Sequence, residues 1–311
     1  MQNLALLCLS MPSAYLLPAD YSNFGVASTT TAGQVTQASV LVDTYIRRPE
    51  GLVYAEDSSL NPVYMKAMNP MGPFTIAAGL SPGSNVVATI AGPISTLFKG
   101  AILIAEKDTP ANVEPLLIVG IIGDQVTFGS VTKVHDALAT YHSNLTLFET
   151  KQLPSNRPLM LLSKNPVVRL LAGQGRYGYG RRGGSNNYTL NEFNLLAVMS
   201  KFGGPPIWET IDISHADVNP QTGQLWVPAG IMLAYYSEVR VSYIAGFSAS
   251  QLPDIIKAAT ANIINAQSAS PLNGNLKLIK AGDTQMERFM DTVLDSDTRL
   301  MLSTFKARTY G

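Results

Sequence analysis

Cysteine is nearly absent. Cys8 stands alone in 311 residues, which excludes an intrachain disulfide framework and a cysteine-built zinc site. Charge is scarce too. Asp, Glu, Lys and Arg supply 14% of the chain, against roughly 25% in an average soluble domain. The 22 basic and 22 acidic residues cancel, so no net positive field draws the chain to nucleic acid. Aromatic residues are 8%, with two tryptophans, which is thin for a protein that stacks sugars on aromatic platforms. Long apolar runs are missing as well. A stretch such as Leu116–Ile122 falls far short of the roughly 18–20 residues that a membrane span needs. At the N-terminus, Leu4–Leu7 and Cys8 look like the start of a signal peptide. No Lys or Arg precedes them and Pro12 interrupts them, so they read as an apolar arm that packs on the protein or a neighbour.

Catalytic signatures are also missing. The chain contains no HExxH, GxSxG or GxxxxGK[ST]. His135 and His142 lie seven apart in turn-like sequence and His215 stands alone, so their reading is structural. Gly173-Gln174-Gly175-Arg176-Tyr177-Gly178 matches GxGxxG literally. That pattern binds a dinucleotide only where it opens a helix, and here it runs into the helix-breaking stretch Tyr179–Asn187. Asp291, Asp295 and Asp297 fit the N-terminal cap of a last helix better than a cation site. No cofactor, metal or enzymatic activity is expected.

What is present is material for a packed core. Hydrophobic residues are 46%, and a surface rich in Gly, Ser, Thr and Asn but poor in charge suits burial against neighbouring subunits. Apolar positions Val35, Ala38, Leu41, Val42 and Tyr45 predict a helix from about Gln34 to Arg48, stopped by Pro49. Residues 50–70 read as loop. Between Pro70 and Thr150, five strand-like runs alternate with Gly and Pro turns, the pattern of a small barrel or sandwich. Strand-like segments resume at Leu159–Leu162, Val167–Leu171 and Trp208–Ile213, with a long loop over about Ala172–Tyr188. Val239, Val241 and Tyr243 alternate with polar neighbours in one more strand, Gly246 ends it, and helices follow at Pro253–Ala269 and about Asp297–Arg308.

Three of these stretches carry a resemblance. They are the first helix with Val42-Asp43-Thr44-Tyr45-Ile46 followed by arginine, the run Leu153-Pro154-Ser155-Asn156-Arg157-Pro158-Leu159 with Asn165-Pro166-Val167 after it, and the strand, glycine and leucine–proline helix from Val239 to Ile264. Together they resemble the head–tail connector, or adaptor, proteins of tailed bacteriophages. The resemblance implies an α+β fold, a small helical bundle with core strands, here carrying an inserted β-barrel or sandwich-like domain. The expected division is an arm and first helix over 1–69, the inserted β domain over 70–150 and the connector core over 151–311.

The resemblance further implies a virion structural protein in the neck between capsid and tail, assembled in the host cytoplasm. About twelve copies would close a homo-oligomeric ring that binds the portal protein above and a tail or nozzle protein below. Genomic DNA would pass through without sequence-specific binding, and no membrane is involved. Another neck, tail-completion or baseplate component is the nearest alternative, and a β-rich carbohydrate-binding or adhesion module is the alternative of a different class. The expected contacts to portal, neighbouring subunit or DNA channel are Arg176, Tyr177, Tyr179, Arg181 and Arg182 in the long loop, with Lys306, Arg308 and Tyr310 near the C-terminus.

Overall fold

The computed structural model describes residues 14–153, 159–176, 208–227, 236–268, 278–281, 284–287 and 294–308. Its first helix, α1 (Ala32–Ile46), opens on a capping box. Thr31 accepts from the Gln34 backbone N–H, and the Gln34 side chain accepts from the Thr31 N–H. Val35, Ala38, Val42 and Ile46 form its buried face. The helix ends before the two arginines rather than after them. Arg47 takes a left-handed backbone, φ 59°, and Arg48 leaves the axis for the core.

The chain then runs through β1 (Tyr54–Glu56) and β2 (Pro62–Met65), an antiparallel pair in the stretch expected to be loop. Next come β3 (Met71–Ile76), β4 (Gly83–Ala91), β5 (Ile102–Ala105), β6 (Glu114–Ile122), β7 (Gln125–Val131) and β8 (Thr140–Ser143). These six close a barrel in the order β3-β4-β7-β6-β5-β8. Alternating residues fill it, among them Phe74 and Ile76, Leu116 and Ile118, Val126 and Phe128.

After the barrel follow β9 (Leu147–Gln152), β10 (Leu159–Leu161), β11 (Val167–Arg176), β12 (Glu209–Ile211), β13 (Asp217–Val218), β14 (Gln224–Trp226) and β15 (Glu238–Ala245). Four of them make an antiparallel sheet ordered β12-β11-β15-β9, and three make a smaller sheet ordered β10-β14-β13. Val239, Val241, Tyr243 and Leu147 carry the core face of the larger sheet. Then come α2 (Asp254–Ser268), the hairpin β16 (Leu278–Ala281) and β17 (Thr284–Glu287), and α3 (Ser296–Ser303), capped by Asp295. The three helices share a second core around Val42, Ile46, Ile256, Ile263 and Leu302.

The fold class therefore differs from the expectation. The protein is mainly β, with seventeen strands and three α-helices among the described residues and a closed barrel, not a helical bundle with core strands. The physical reason lies in strand pairing. Segments of two to ten residues without helical periodicity become strands only because partners elsewhere in the sequence complete their hydrogen bonds. Residues 172–176, expected to be loop, show it best. They extend β11 between β12 and β15, and the missing Cβ of Gly175 makes room for the Tyr236 ring.

Arg48 ties helices to sheet. It is fully buried, donates to the carbonyls of Asn165 (2.8 Å) and Ala245 (3.0 Å), and faces Glu50 at 3.6 Å. Glu50 in turn pairs with Lys164 at 2.6 Å.

Candidate functional site

The larger sheet has one apolar face and one polar face. In its register Thr150 stands opposite Arg240, Arg240 opposite Gln174 and Gln174 opposite Thr210. The next row is Gln152, Glu238 and Arg176. Directly opposed residues share a face, and Val239 and Val241 point the other way into the core. Alternation together with this register sets Arg176 and Arg240 diagonally across from one another on the face away from the core.

Trp208 receives both. The Arg240 guanidinium lies 4.4 Å and that of Arg176 4.6 Å from the centre of its ring. Arg240 also lies 5.4 Å from the ring of Phe98, which meets Phe148 edge to face at 5.4 Å. Phe98 and Phe148 are each 42% exposed, large aromatic surface left open beside two cations.

Among the described residues, the charges around this stack do not balance. Arg176 donates through Nε to Glu238 at 2.5 Å, and its Nη2 pairs with the same carboxylate. Arg240 donates to Gln174 Oε1 at 2.6 Å and to the Lys99 carbonyl, both neutral acceptors. Among the described residues it makes no ion pair. Burial and then the neighbouring Arg176 charge both pull its guanidinium below the ordinary value. The amide nitrogen of Gln174, buried beneath it, has no hydrogen-bond partner among the described residues. Two guanidinium groups against one carboxylate, stacked on aromatic rings, form a surface suited to a carboxylate or phosphate supplied from outside.

The barrel contributes to the site through Gly100. Its backbone, φ +97°, lets Lys99 and Gly100 lie directly on the sheet, where a Cβ would collide with the Gln174 side chain. Phe98 and the Lys99 carbonyl reach Arg240 by this contact.

Of the expected interaction residues that the structure describes, Arg176 belongs to this surface and Lys306 and Arg308 do not. Tyr177, Tyr179, Arg181, Arg182 and Tyr310 lie outside the described residues. Lys306 sits over the Tyr45 ring at 4.9 Å, and Arg308 braces two turns, donating to the carbonyls of Ser163 (2.9 Å, backbone) and Thr222 (2.6 Å, guanidinium). Among the described residues, no contact joins either of them to Arg176. Arg240, Trp208, Phe98 and Gln174 were not foreseen. The signal for Arg240 was nonetheless in the strand alternation, which places it opposite in sense to Val239 and Val241.

Two other polar clusters look chemical and are not competent. Ser163 Oγ lies 2.9 Å from both Lys151 Nζ and Glu149 Oε2, beside a cleft of about 320 Å³. The lysine charge is spent on Glu149 at 3.0 Å, and the Ser163 N–H points at Glu149 as well. Burial raises the Glu149 carboxyl, but bonds from Tyr243, Lys151 and Ser163 outweigh it and hold the group below the usual range. A serine nucleophile needs a base able to take its proton, and this carboxylate is too well stabilised for that work. In the barrel, both ring nitrogens of buried His135 face carboxylates, Glu106 at 3.2 Å and Glu114 at 3.1 Å, and are not free for substrate or metal. Among the described residues, no group of three or more His, Cys, Asp or Glu is arranged to hold a metal ion, and no helix is long and apolar enough to cross a membrane.

No family model, curated protein or solved structure matches the chain.

Proposed function

We propose that this protein is a non-catalytic structural subunit of a ring, and that the ring is the connector between capsid and tail of a tailed bacteriophage. The observation that carries the assembly reading is the Arg176–Trp208–Arg240 stack, a partly open cationic and aromatic surface with, among the described residues, one carboxylate for two guanidinium groups. Arginine and tryptophan are the residue types on which interface energy concentrates. The low charge of the chain supports the same reading, because a polar, weakly charged surface is poorly suited to a free monomer. The motifs at residues 34–48, 153–167 and 239–264 supply the connector part of the proposal.

On this reading about twelve copies assemble head to tail, with the portal protein above and a tail or nozzle protein below. Light scattering coupled to size exclusion tests it, on the chain alone and mixed with the portal protein of the same genome. A complex of ring mass is expected in at least the mixture. A monomer in both settings, with no co-elution, removes the connector reading.

A further inference from the structure

His135 is enclosed where three connections of the barrel meet. Its backbone N–H donates to the Leu80 carbonyl at 3.0 Å, and its carbonyl accepts from the Leu80 N–H at 2.8 Å. The imidazole is fully shielded from solvent. Nδ1 faces Glu106 Oε2 at 3.2 Å, at the end of β5, and Nε2 faces Glu114 Oε2 at 3.1 Å, at the start of β6. The loop 106–113 leaves the barrel between those two carboxylates.

Only an imidazolium has two N–H donors. With both carboxylates ionised, the proton is what lets one ring hold both. When it leaves, one nitrogen keeps its N–H and the other turns a lone pair toward a carboxylate oxygen. The choice of which contact breaks is built into the surroundings. Glu114 also accepts from the Thr132 N–H (2.7 Å), the Thr132 hydroxyl (2.8 Å) and the Lys133 N–H (3.0 Å). For Glu106 the imidazole is the one side-chain donor among the described residues, and its side chain is 17% exposed. Glu106 moreover holds a left-handed backbone, φ 43°, which costs energy in a residue with a Cβ.

We propose that Glu106–His135–Glu114 is a proton-operated latch: the imidazolium clamps the loop 106–113 to the barrel, and loss of its proton releases Glu106 while Glu114 stays bound. Burial lowers the imidazole's affinity for the proton, but the bonds to Glu114 and Glu106 more than offset it, and the net shift is upward from the ordinary value of 6.5. The latch is therefore fully engaged below about pH 6.5 and opens as pH rises through the higher folded value. The other ionisable neighbours do not replace it. Tyr141 meets the ring edge to face at 6.0 Å, and Lys133 ties the far end of the loop, donating to the carbonyls of Ala111 and Val113, so loss of the imidazole proton frees the Glu106 end alone. Lys107 pairs with Asp108, His142 faces that pair, Asp136 is exposed, and the Leu80 connection, residues 77–83, brings no ionisable side chain.

Amide hydrogen exchange of the whole protein between pH 6 and pH 9 tests the latch, with protection corrected for the intrinsic pH dependence of exchange. Protection at the Glu106 end of the loop, residues 106–110, should drop about tenfold or more across that range, while the paired core of β6 and β7 keeps its protection. The variant Glu106→Gln retains size and hydrogen-bonding capacity but removes the charge, so its loop should lose most of that pH dependence. Wild-type loop protection that is flat from pH 6 to pH 9 would overturn the proposal without any variant. An unchanged pH dependence in folded Glu106→Gln would overturn it equally.

Discussion

The barrel and the larger sheet deploy charge in opposite ways. The barrel buries one ionic cluster, Glu106, His135 and Glu114, and closes it on itself. Glu114 accepts four hydrogen bonds, and both nitrogens of His135 are occupied. The sheet sets two arginines on its outer face, stacks them on Trp208 and gives them one carboxylate. A buried charge must be answered inside the fold, since an unanswered one costs several kcal/mol, whereas a half-exposed one tolerates an incomplete set of partners. The incomplete set is the one that can bind something else. Arg48 and Arg240 make the same contrast on a single strand. Arg48 reaches the Ala245 carbonyl at one end of β15 from within the core, and Arg240 projects from its other face.

The largest effect should come from breaking the buried side of this comparison. Arg48→Ala strands Glu50 with Lys164 and takes the guanidinium from the buried Ala245 carbonyl and the part-buried Asn165 carbonyl. A loss of about 3–5 kcal/mol in denaturant unfolding is expected. A loss under about 1 kcal/mol would put Arg48 in the same class as a surface arginine.

A second experiment sharpens the buried side through pH. Asp43, bonded by the Tyr15 hydroxyl, is pushed up to about 7, chiefly by burial and also by the Glu50 charge. Between about pH 4 and pH 7 the folded state thus holds a proton that the unfolded chain, with an ordinary Asp, has released. This group favours folding most below pH 4, and its contribution fades as pH rises through 7. Asp43→Asn should remove a stability change on the order of 4 kcal/mol from that window, read as the difference between wild-type and variant curves. Parallel curves would show that the carboxyl titrates normally.

The join between the two regions is the next target. Gly100→Ala forces a Cβ into the Gln174 side chain and should cost about 1–3 kcal/mol while lifting Phe98 away from Arg240. Thermal melts measure the cost. Quenching or recovery of tryptophan fluorescence reports whether the environment around Trp208 has moved.

The smallest stability effect should sit at the open stack. Arg240→Ala removes no ion pair among the described residues and should change stability by about 1 kcal/mol or less. Its consequence should appear in assembly instead. Weaker ring formation by light scattering, with an unchanged melt, is the expected pair of results. Normal assembly by a normally stable variant would make the stack an ordinary part of the fold.

Much of this architecture was visible before folding was considered. Alternating apolar residues mark Phe74 and Ile76, Val126 and Phe128, and Val239 and Val241 as strand interiors. Spacing of three and four marks Val35, Ala38 and Val42, and likewise Ile256, Ala259 and Ile263, as helix faces. Those patterns are local, so a sequence window contains all the information they need. The misreadings were of another kind. Residues 172–176 looked like the start of a loop because glycine is a poor strand former in isolation, yet β12 and β15 flank them.

The site was partly legible on the same terms. Arg176 was singled out for its company of arginine and tyrosine, but its companions on the sheet, Arg240 and Trp208, stand 64 and 32 positions away along the numbering of the chain. His135 looked like an isolated histidine because its two carboxylates are 29 and 21 residues distant. By itself, then, the sequence determined where apolar faces form, where α1 begins, which chemistry is missing and how little charge the surface bears. Tertiary structure alone decided which strands pair, that the barrel closes, that Arg48 goes inward and that Arg176 and Arg240 share one tryptophan. The reason is that burial and pairing are energies of contact, and contact between segments tens of residues apart is fixed only when the whole chain has folded.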